Sequence, residues 1–232
     1  MASPSSDVIL AAIASLIAAV VMSGFWAWSR RLRRPGLADA AWPLVTAALA
    51  ILYANAVGSA TTRQSAIAWM IGSWGARLGV YLLWDDVFAR APDEHCRESW
   101  WRFQSRAAIA VFYSLPALFV SIDPKPMLST AELTAAGIWL IGFAGETTAD
   151  RQFVRWRLGG SSAVSEPIDS RALACRVGVW RYVPRAHDVF ELITWTAHAL
   201  FASASPLGWL GAACPLAVAY RLATAGTRRA RL

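Results

Sequence analysis

The sequence predicts an all-α integral membrane protein, a single membrane domain over residues 1–232 built as a bundle of about seven transmembrane helices. Composition is the first reason, because 56% of the residues are hydrophobic and only 16% are charged, whereas a soluble domain typically carries about 25% charged residues. The second reason is that apolar runs, most of them near the roughly 20 residues needed to cross a bilayer, recur along the chain. These runs are residues 8–28, 38–57, 66–84, 107–122, 131–149, 188–204 and 208–225.

The basic residues determine the predicted orientation of this bundle. Of the 22 lysines and arginines, 19 fall within residues 30–34, 90–106, 151–185 and 221–231, which are alternate connections and the C-terminal end. Short cytoplasmic loops collect Lys and Arg, so the sequence predicts an N-terminus outside and a C-terminus in the cytoplasm. The first apolar run is expected to stay in the mature protein, because its basic cluster follows the run instead of preceding it. We therefore expect an integral membrane location.

Charge and cysteine content argue against several other classes of protein. The net charge of +7 is explained by basic cytoplasmic loops in contact with anionic lipid, so no nucleic-acid partner is expected. The 3 cysteines show no close pairing that would indicate a disulfide framework. The sequence has no glycine-rich phosphate loop typical of a soluble dinucleotide-binding domain. Its His and Cys residues lack the spacing usual in zinc sites, so no metal is expected.

Ionisable residues inside the predicted spans recur at helical spacing. Arg77 and Tyr81 lie four residues apart in the third span and so share one face of a helix. The fifth span carries Glu146 and Asp150 on one stripe, and Arg157 continues that stripe just beyond the span. The sixth span has a comparable stripe, whose members are His187, Glu191, Thr194 and His198.

These stripes predict a polar site inside the bundle. An ionisable group in a membrane helix costs a few kcal/mol or more unless it is paired or hydrated. We therefore expect the charged residues, together with Arg221 in the last span, to converge on one pocket in the cytoplasmic half of the bilayer. The alternative left open is a purely structural ion pair, such as Arg77 with Glu146 or Glu191, that fixes the register of the helices.

Four segments resemble a known family. Two of them are Glu146-Thr-Thr-Ala-Asp150-Arg-Gln-Phe, and Gly178-Val-Trp-Arg-Tyr182 followed by Glu191. The other two lie earlier in the chain and are Asp39-Ala-Ala-Trp42 and Trp74-Gly-Ala-Arg77-Leu-Gly-Val-Tyr81-Leu-Leu-Trp84. Their order and spacing resemble the steroid 5-alpha-reductase C-terminal domain family, in particular its bacterial membrane branch of largely unknown substrate, and the resemblance covers roughly residues 36–195. It implies a seven-helix membrane reductase that uses NADPH to reduce a carbon-carbon double bond conjugated to a carbonyl. The implied substrate is lipophilic, such as a steroid or another isoprenoid, and enters from the membrane lipid.

The resemblance also implies roles for individual residues. It places Arg77, Asp150 and Arg157 among the cofactor contacts, puts Glu146 where the reductases have an amide, and matches Glu191 to the family's glutamate. His187 stands at the position of an asparagine on the nicotinamide side, and Tyr182 closes the Gly178 motif. Arginines such as Arg171 suit the phosphates of NADPH. Tyr81, one turn from Arg77, is the candidate donor to the substrate carbonyl, so Tyr81 and Glu191 are the expected catalytic residues.

The motif also departs from the family pattern. The family's His-Pro-Asn-Tyr core is replaced here by Arg185-Ala-His187-Asp, and Trp74 stands where the steroid reductases have a carbonyl-polarising tyrosine. An indole has one N–H and cannot act as a proton donor of that kind. Two alternatives to a working reductase therefore stay open: a catalytically degenerate membrane protein on the same scaffold, and a methyltransferase-like relative.

Overall fold

The computed structural model describes residues 4–56, 60–88, 99–123, 125–158 and 175–229, and over these residues the protein is all-helical. It has seven α-helices in this part of the chain. They are α1 (Pro4–Leu32), α2 (Leu37–Ala56), α3 (Thr62–Phe88), α4 (Trp100–Ser121), α5 (Thr130–Leu158), α6 (Ala186–Ala202) and α7 (Ala213–Arg229). Two short 3-10 turns, Gly178–Arg181 and Gly208–Ala212, precede α6 and α7. The all-α prediction is confirmed for the described residues.

Four helices are long and apolar enough to cross a membrane. These are α1 to α4, with mean hydropathies of 2.5, 1.6, 1.2 and 1.3 over their most apolar windows. A membrane location follows from them. In contrast, α6 and α7 have 17 residues each, which is about 25 Å of helix against a hydrocarbon core of about 30 Å. The seven-span count and the orientation therefore stay predictions.

Several helices extend well beyond the apolar runs that predicted them. The run at 66–84 becomes Thr62–Phe88, and the run at 131–149 becomes Thr130–Leu158. Backbone hydrogen bonding does not end where hydrophobicity ends, so a helix can continue into the polar region on either side of the bilayer. The extension of α5 carries Asp150 on a regular helix one turn beyond Glu146.

Close packing of α2 against α3 depends on two glycines one turn apart. A Cβ atom at Gly75 would lie 2.4 Å from the carbonyl oxygen of Pro43, and one at Gly79 would lie 2.5 Å from Leu44. Small residues at this spacing let two membrane helices approach until their backbones touch. Since Arg77 lies between the two glycines, this contact fixes the position of its backbone in the bundle.

A second pair of glycines brings α5 against α6. A Cβ atom at Gly142 would lie 2.6 Å from the Thr194 hydroxyl, and one at Gly145 would lie 2.2 Å from the ring of Phe190. Glu146 follows Gly145 directly, and Glu191 follows Phe190 directly. The close approach of the two helices therefore places the acidic residues of both in the same layer of the bundle.

An aromatic core fills the space between these helix pairs. Trp74 of α3 lies edge-on to Trp195 of α6, with ring centroids 4.8 Å apart, and Tyr113 of α4 lies 4.4 Å from the same ring. Trp42 of α2 packs 5.8 Å from Trp74. These four rings are at most 8% exposed. By contrast, only 17% of the most apolar window of α1 is buried, so α1 lies at the edge of the bundle.

Candidate functional site

Charged side chains from four helices converge at one place in the bundle. We call this set the charged cluster: Arg77 of α3, Glu146 and Asp150 of α5, His187 and Glu191 of α6, and Arg221 of α7. The three carboxylates are buried, with relative exposures of 0%, 7% and 2% in chain order. The structure thus brings together the four residues that the sequence predicts to converge, Arg77, Glu146, Asp150 and Glu191.

Arg77 connects α3 to two successive turns of α5. Its NH2 lies 2.5 Å from Glu146 Oε1, and its NH1 donates to Asp150 Oδ2 at 2.5 Å. The guanidinium also lies over the ring of Phe143, 5.4 Å from the centroid. The four-residue spacing of Glu146 and Asp150 puts both carboxylates on the same face of α5, so one guanidinium can pair with both.

His187 continues this chain of contacts on α6. Its Nδ1 lies 2.7 Å from Asp150 Oδ1, and its Nε2 lies 4.0 Å from Glu191 Oε2. Asp150 is therefore shared between Arg77 and His187, one oxygen to each. The His187 side chain is 27% exposed, more than any carboxylate of the charged cluster, so solvent or a ligand can reach the cluster at this ring.

Arg221 closes the charged cluster from α7. Its NH2 donates to Glu191 Oε2 and lies 3.7 Å from Asp188 Oδ1. Arg185 supports the same corner, because its Nε donates to Asp188 Oδ2 at 2.8 Å and its NH1 donates to the Leu222 carbonyl at 3.2 Å. Three carboxylates thus face two guanidinium groups and one imidazole, a set that is electrically neutral when the imidazole is protonated.

Trp74 has a contact that the sequence did not predict. Its Nε1 donates to Glu146 Oε2 at 3.1 Å, and the ring is fully buried. Glu146 is thereby held between Arg77 on one oxygen and Trp74 on the other. The sequence signal was available, because Trp74 and Arg77 share a face of α3 at a three-residue spacing. The indole of Trp74 therefore orients a carboxylate inside the bundle.

The 3-10 turn before α6 is anchored to α5 beside Asp150. The amide of Val179 donates to Gln152 Oε1 at 2.8 Å, and Trp180 Nε1 donates to the Ala149 carbonyl at 2.9 Å. Gly178 has φ +58, and a Cβ atom there would lie 2.3 Å from Gln152 Oε1. Glycine is needed at this position both for the left-handed backbone and for the close approach, which sets where the chain enters α6 and therefore where His187 lies.

The remaining predicted site residues are placed as follows. Tyr81 lies one turn beyond Arg77 on α3, partly buried against the core. Tyr182 ends the 3-10 turn and is 79% exposed, with the Arg181 guanidinium 5.9 Å from its ring centroid. The side chain of Arg157 and all of Arg171 lie outside the described residues.

Three members of the charged cluster could in principle hold a metal ion. Ligand atoms of Glu146, Asp150 and His187 all lie within 4.8 Å of one another. However, Arg77 already pairs with both carboxylates, and a divalent cation between them would lie beside a guanidinium. The donor chemistry therefore favours ion pairs over a metal at this position.

A comparison with known proteins identifies the family. The model of a family described as "Protein of unknown function (DUF1295)" matches residues 25–230. The chain belongs to the DUF1295 family. This family is related to the steroid 5-alpha-reductase-like proteins. The match reaches beyond residues 36–195 and so includes Arg221, the one member of the charged cluster outside that range. No curated protein and no solved structure matches this DUF1295 chain.

Proposed function

We propose that this DUF1295 protein is a membrane-embedded, NADPH-dependent reductase. Its substrate is a lipophilic molecule, steroid-like or isoprenoid-like, with a carbon-carbon double bond conjugated to a carbonyl. The observation that supports this best is the sharing of Asp150 between Arg77 and His187. All three stand at positions for which the family resemblance implies cofactor contact, and the cluster they form can be reached through the His187 ring.

The described residues suit the parts of NADPH. Asp150 and Glu146 can accept hydrogen bonds from ribose hydroxyls or an amide. Arg77 Nε is a buried donor without an acceptor among the described residues, so it can serve a ligand oxygen. Arg176 precedes the 3-10 turn and Arg181 is its last residue. Both are exposed, and guanidinium groups there would suit phosphates. When bound, NADPH would supply the hydride.

The protein's own part in the proposed reaction is to orient the reactants and to stabilise charge. Negative charge develops on the carbonyl oxygen of the substrate as the double bond is reduced, and a hydrogen-bond donor lowers the barrier by stabilising that charge. Tyr81 remains our proposed donor. Asp150 orients the His187 ring through Nδ1, and Glu191, which Arg221 holds in place, lies 4.0 Å from Nε2 of the same ring. The apolar wall formed by Trp74 and Trp195 would exclude water from the reacting atoms.

A second candidate function is that of a non-catalytic membrane protein on the same scaffold. The observation that favours it is that every carboxylate and guanidinium of the charged cluster has a partner of opposite charge within the cluster. NH1 and NH2 of Arg77 each face a carboxylate, and Glu191 is paired with Arg221. Such a network can hold helices together without binding any ligand. No contact among the described residues favours a methyltransferase-like use over these two functions.

Binding of NADPH to the detergent-purified protein separates the two candidates. We expect NADPH to raise the unfolding temperature, since a ligand at 100 times its Kd stabilises the folded state by about 2.7 kcal/mol. Asp150→Asn should weaken binding about tenfold, because one hydrogen bond to a charged group is worth about 1.5 kcal/mol. His187→Asn should preserve or raise affinity, and His187→Ala should lower it roughly two- to tenfold.

The matched control for these variants is Arg30→Gln. Arg30 is exposed on α1 and stacks over Trp26, and α1 packs on α2 and α4, away from the charged cluster. The affinity of the Arg30→Gln variant for NADPH should equal that of the wild-type protein. Absence of NADPH binding by the wild-type protein would reject the reductase and favour the non-catalytic candidate.

A further inference from the structure

A second buried ion cluster lies at the opposite end of α3 and α5. We call it the Arg63 clamp, and its members are Arg63, Asp123, Glu132 and Ser205. Arg63 donates through Nε to Glu132 Oε1, through NH1 to Asp123 Oδ2 at 2.7 Å, and through NH2 to Ser205 Oγ at 2.6 Å. The side chains of Arg63, Asp123 and Glu132 are only 1–3% exposed.

Each carboxylate of the Arg63 clamp is also held on its other side. Glu132 Oε2 accepts hydrogen bonds from the Ser129 amide at 2.8 Å and the Ser129 hydroxyl at 2.9 Å, as in a helix capping box. The amide of Lys125 donates to Asp123 Oδ1 at 3.3 Å. The ammonium of Lys125 lies 3.7 Å from Asp123 Oδ2, the oxygen that faces Arg63, and donates to the Ala204 carbonyl at 3.0 Å. The clamp therefore joins the first turns of α3 and α5 to the segments that follow α4 and α6.

The two clusters impose the same register on α3 and α5. Arg63 and Glu132 are 69 residues apart in the chain, and the pair Arg77 and Glu146 has the same separation. Both helices start at the clamp, so they run parallel, and the second pair lies fourteen residues further along each helix, about 21 Å away. A slide of either helix by one turn, about 5.4 Å, would break both pairs at once.

We propose that Arg63 is a positioning residue for the charged cluster, although it lies about four helical turns from it. The clamp fixes the axial position of α3 relative to α5 and of both relative to the end of α6. In this register Arg77 pairs with Glu146 and Asp150, and His187 pairs with Asp150. Other registers of α3 and α5 are excluded by the clamp. This inference concerns the geometry of the cluster and holds whether or not the protein is a reductase.

The test uses the NMR signal of His187 to report changes in the charged cluster when the Arg63 clamp is altered. The chain has 3 histidines, so selective isotope labelling of histidine in the full-length protein gives few NMR signals, and the signal lost in His187→Gln identifies His187. We expect Arg63→Gln to shift or broaden the His187 signal. Arg30→Gln, which removes an exposed arginine from α1, should leave the signal unchanged. A folded Arg63→Gln protein with a wild-type His187 signal would overturn the proposal and leave the clamp a local structural feature.

If Arg63→Gln does not fold, the milder variant Asp123→Asn provides the same test. Asp123→Asn removes one carboxylate and keeps the Arg63 pair with Glu132 and the bond to Ser205. The same displacement of the His187 signal, smaller in size, is expected from it. An unchanged His187 signal in folded Asp123→Asn, together with a lowered unfolding temperature, would again reject the proposal.

The pH dependence of unfolding gives an independent check on the clamp. Burial alone would raise the pKa of Asp123, but the Arg63 hydrogen bond, the Lys125 amide and the two nearby positive charges hold that pKa below its usual value. A lowered pKa means that the stabilisation is complete above the unfolded value, about 3.9, and is lost as the pH falls through the folded value. The clamp of the wild-type protein should therefore remain intact from pH 7 to pH 5.

The expected pH dependence of stability has the opposite sign when Arg63 is removed. Asp123 then lacks its main positive partner, and burial favours its neutral form. We therefore measure the unfolding temperature of each variant minus that of the wild type at the same pH. As the pH falls from 7 to 5, this difference should increase for Arg63→Gln and stay constant for Arg30→Gln. If the difference in unfolding temperature between Arg63→Gln and the wild type is constant over this range, the charge of Asp123 does not depend on Arg63.

Discussion

Replacing Arg77 with alanine is expected to lower the free energy of unfolding by about 3–5 kcal/mol, the range for removing one partner of a buried ion pair. The cost arises because Glu146 and Asp150 lose the guanidinium that pairs with both. Among the described residues, Glu146 would keep the Trp74 hydrogen bond and Asp150 would keep His187. The two carboxylates lie on adjacent turns of α5 and would then share no guanidinium between them. Thermal unfolding in detergent, followed by circular dichroism, measures the loss.

Two further variants separate charge from geometry at Arg77. Arg77→Lys keeps the charge but cannot bind two carboxylates with a planar fork, so we expect an intermediate loss of stability. Arg77→Met combined with Glu146→Gln and Asp150→Asn removes the ions together and should recover much of the stability lost in Arg77→Ala. Arg30→Ala serves as the control for deletion of an exposed arginine. A stability of Arg77→Ala equal to that of Arg30→Ala would mean that the charged cluster contributes nothing to the fold.

Replacing Gly75 with alanine should be the second most damaging change, with a loss of about 1–3 kcal/mol. The new Cβ atom would lie 2.4 Å from the Pro43 carbonyl oxygen and 3.1 Å from the Ala47 side chain. The first of these atoms belongs to the backbone, so only a separation of α2 from α3 can relieve the contact. Because Arg77 is two residues away, the same separation should weaken its pairing with α5.

Gly137→Ala is the matched control for this prediction. Gly137 lies in the interior of α5, and a Cβ atom there meets nothing within 4 Å. Alanine has a higher helix propensity than glycine by about 1 kcal/mol, so this variant should be as stable as the wild type or more stable. Chemical denaturation of both variants in the same detergent tests the contrast. Equal effects of the two substitutions would mean that close packing of α2 and α3 is not required.

The predictability of the charged cluster followed from helical periodicity. Arg77, Glu146, Asp150, His187 and Glu191 were each located on a stripe by spacings of three or four residues, and a stripe of charge in an apolar helix must face inward. Which residues pair could not be derived in the same way. The partner of Glu191 proved to be Arg221, not Arg77, because the packing of α6 between α5 and α7 decides which guanidinium is near.

The Arg63 clamp could not be predicted from local pattern. Arg63 and Lys125 both fall in connections between apolar runs, where a basic residue is ordinarily solvated. Asp123 and Ser205 lie in turns, and no periodicity relates a turn to a helix. Arg63 is buried only because four segments of the chain pack together at one end of the bundle. That tertiary arrangement cannot be read from the sequence around Arg63.

The equal separation of the partners in the two Arg–Glu pairs bears on how the chain is made. The ribosome releases α3 long before α5, since 69 residues separate Arg63 from Glu132. During that interval α3 carries Arg77 with neither Glu146 nor Asp150 to neutralise it, in the least apolar of the four helices able to cross the membrane. Water, lipid headgroups or the insertion machinery must hold the arginine until α5 arrives. Glu132 and Glu146 both lie on α5, so the glutamates that pair with the two ends of α3 reach it on the same helix.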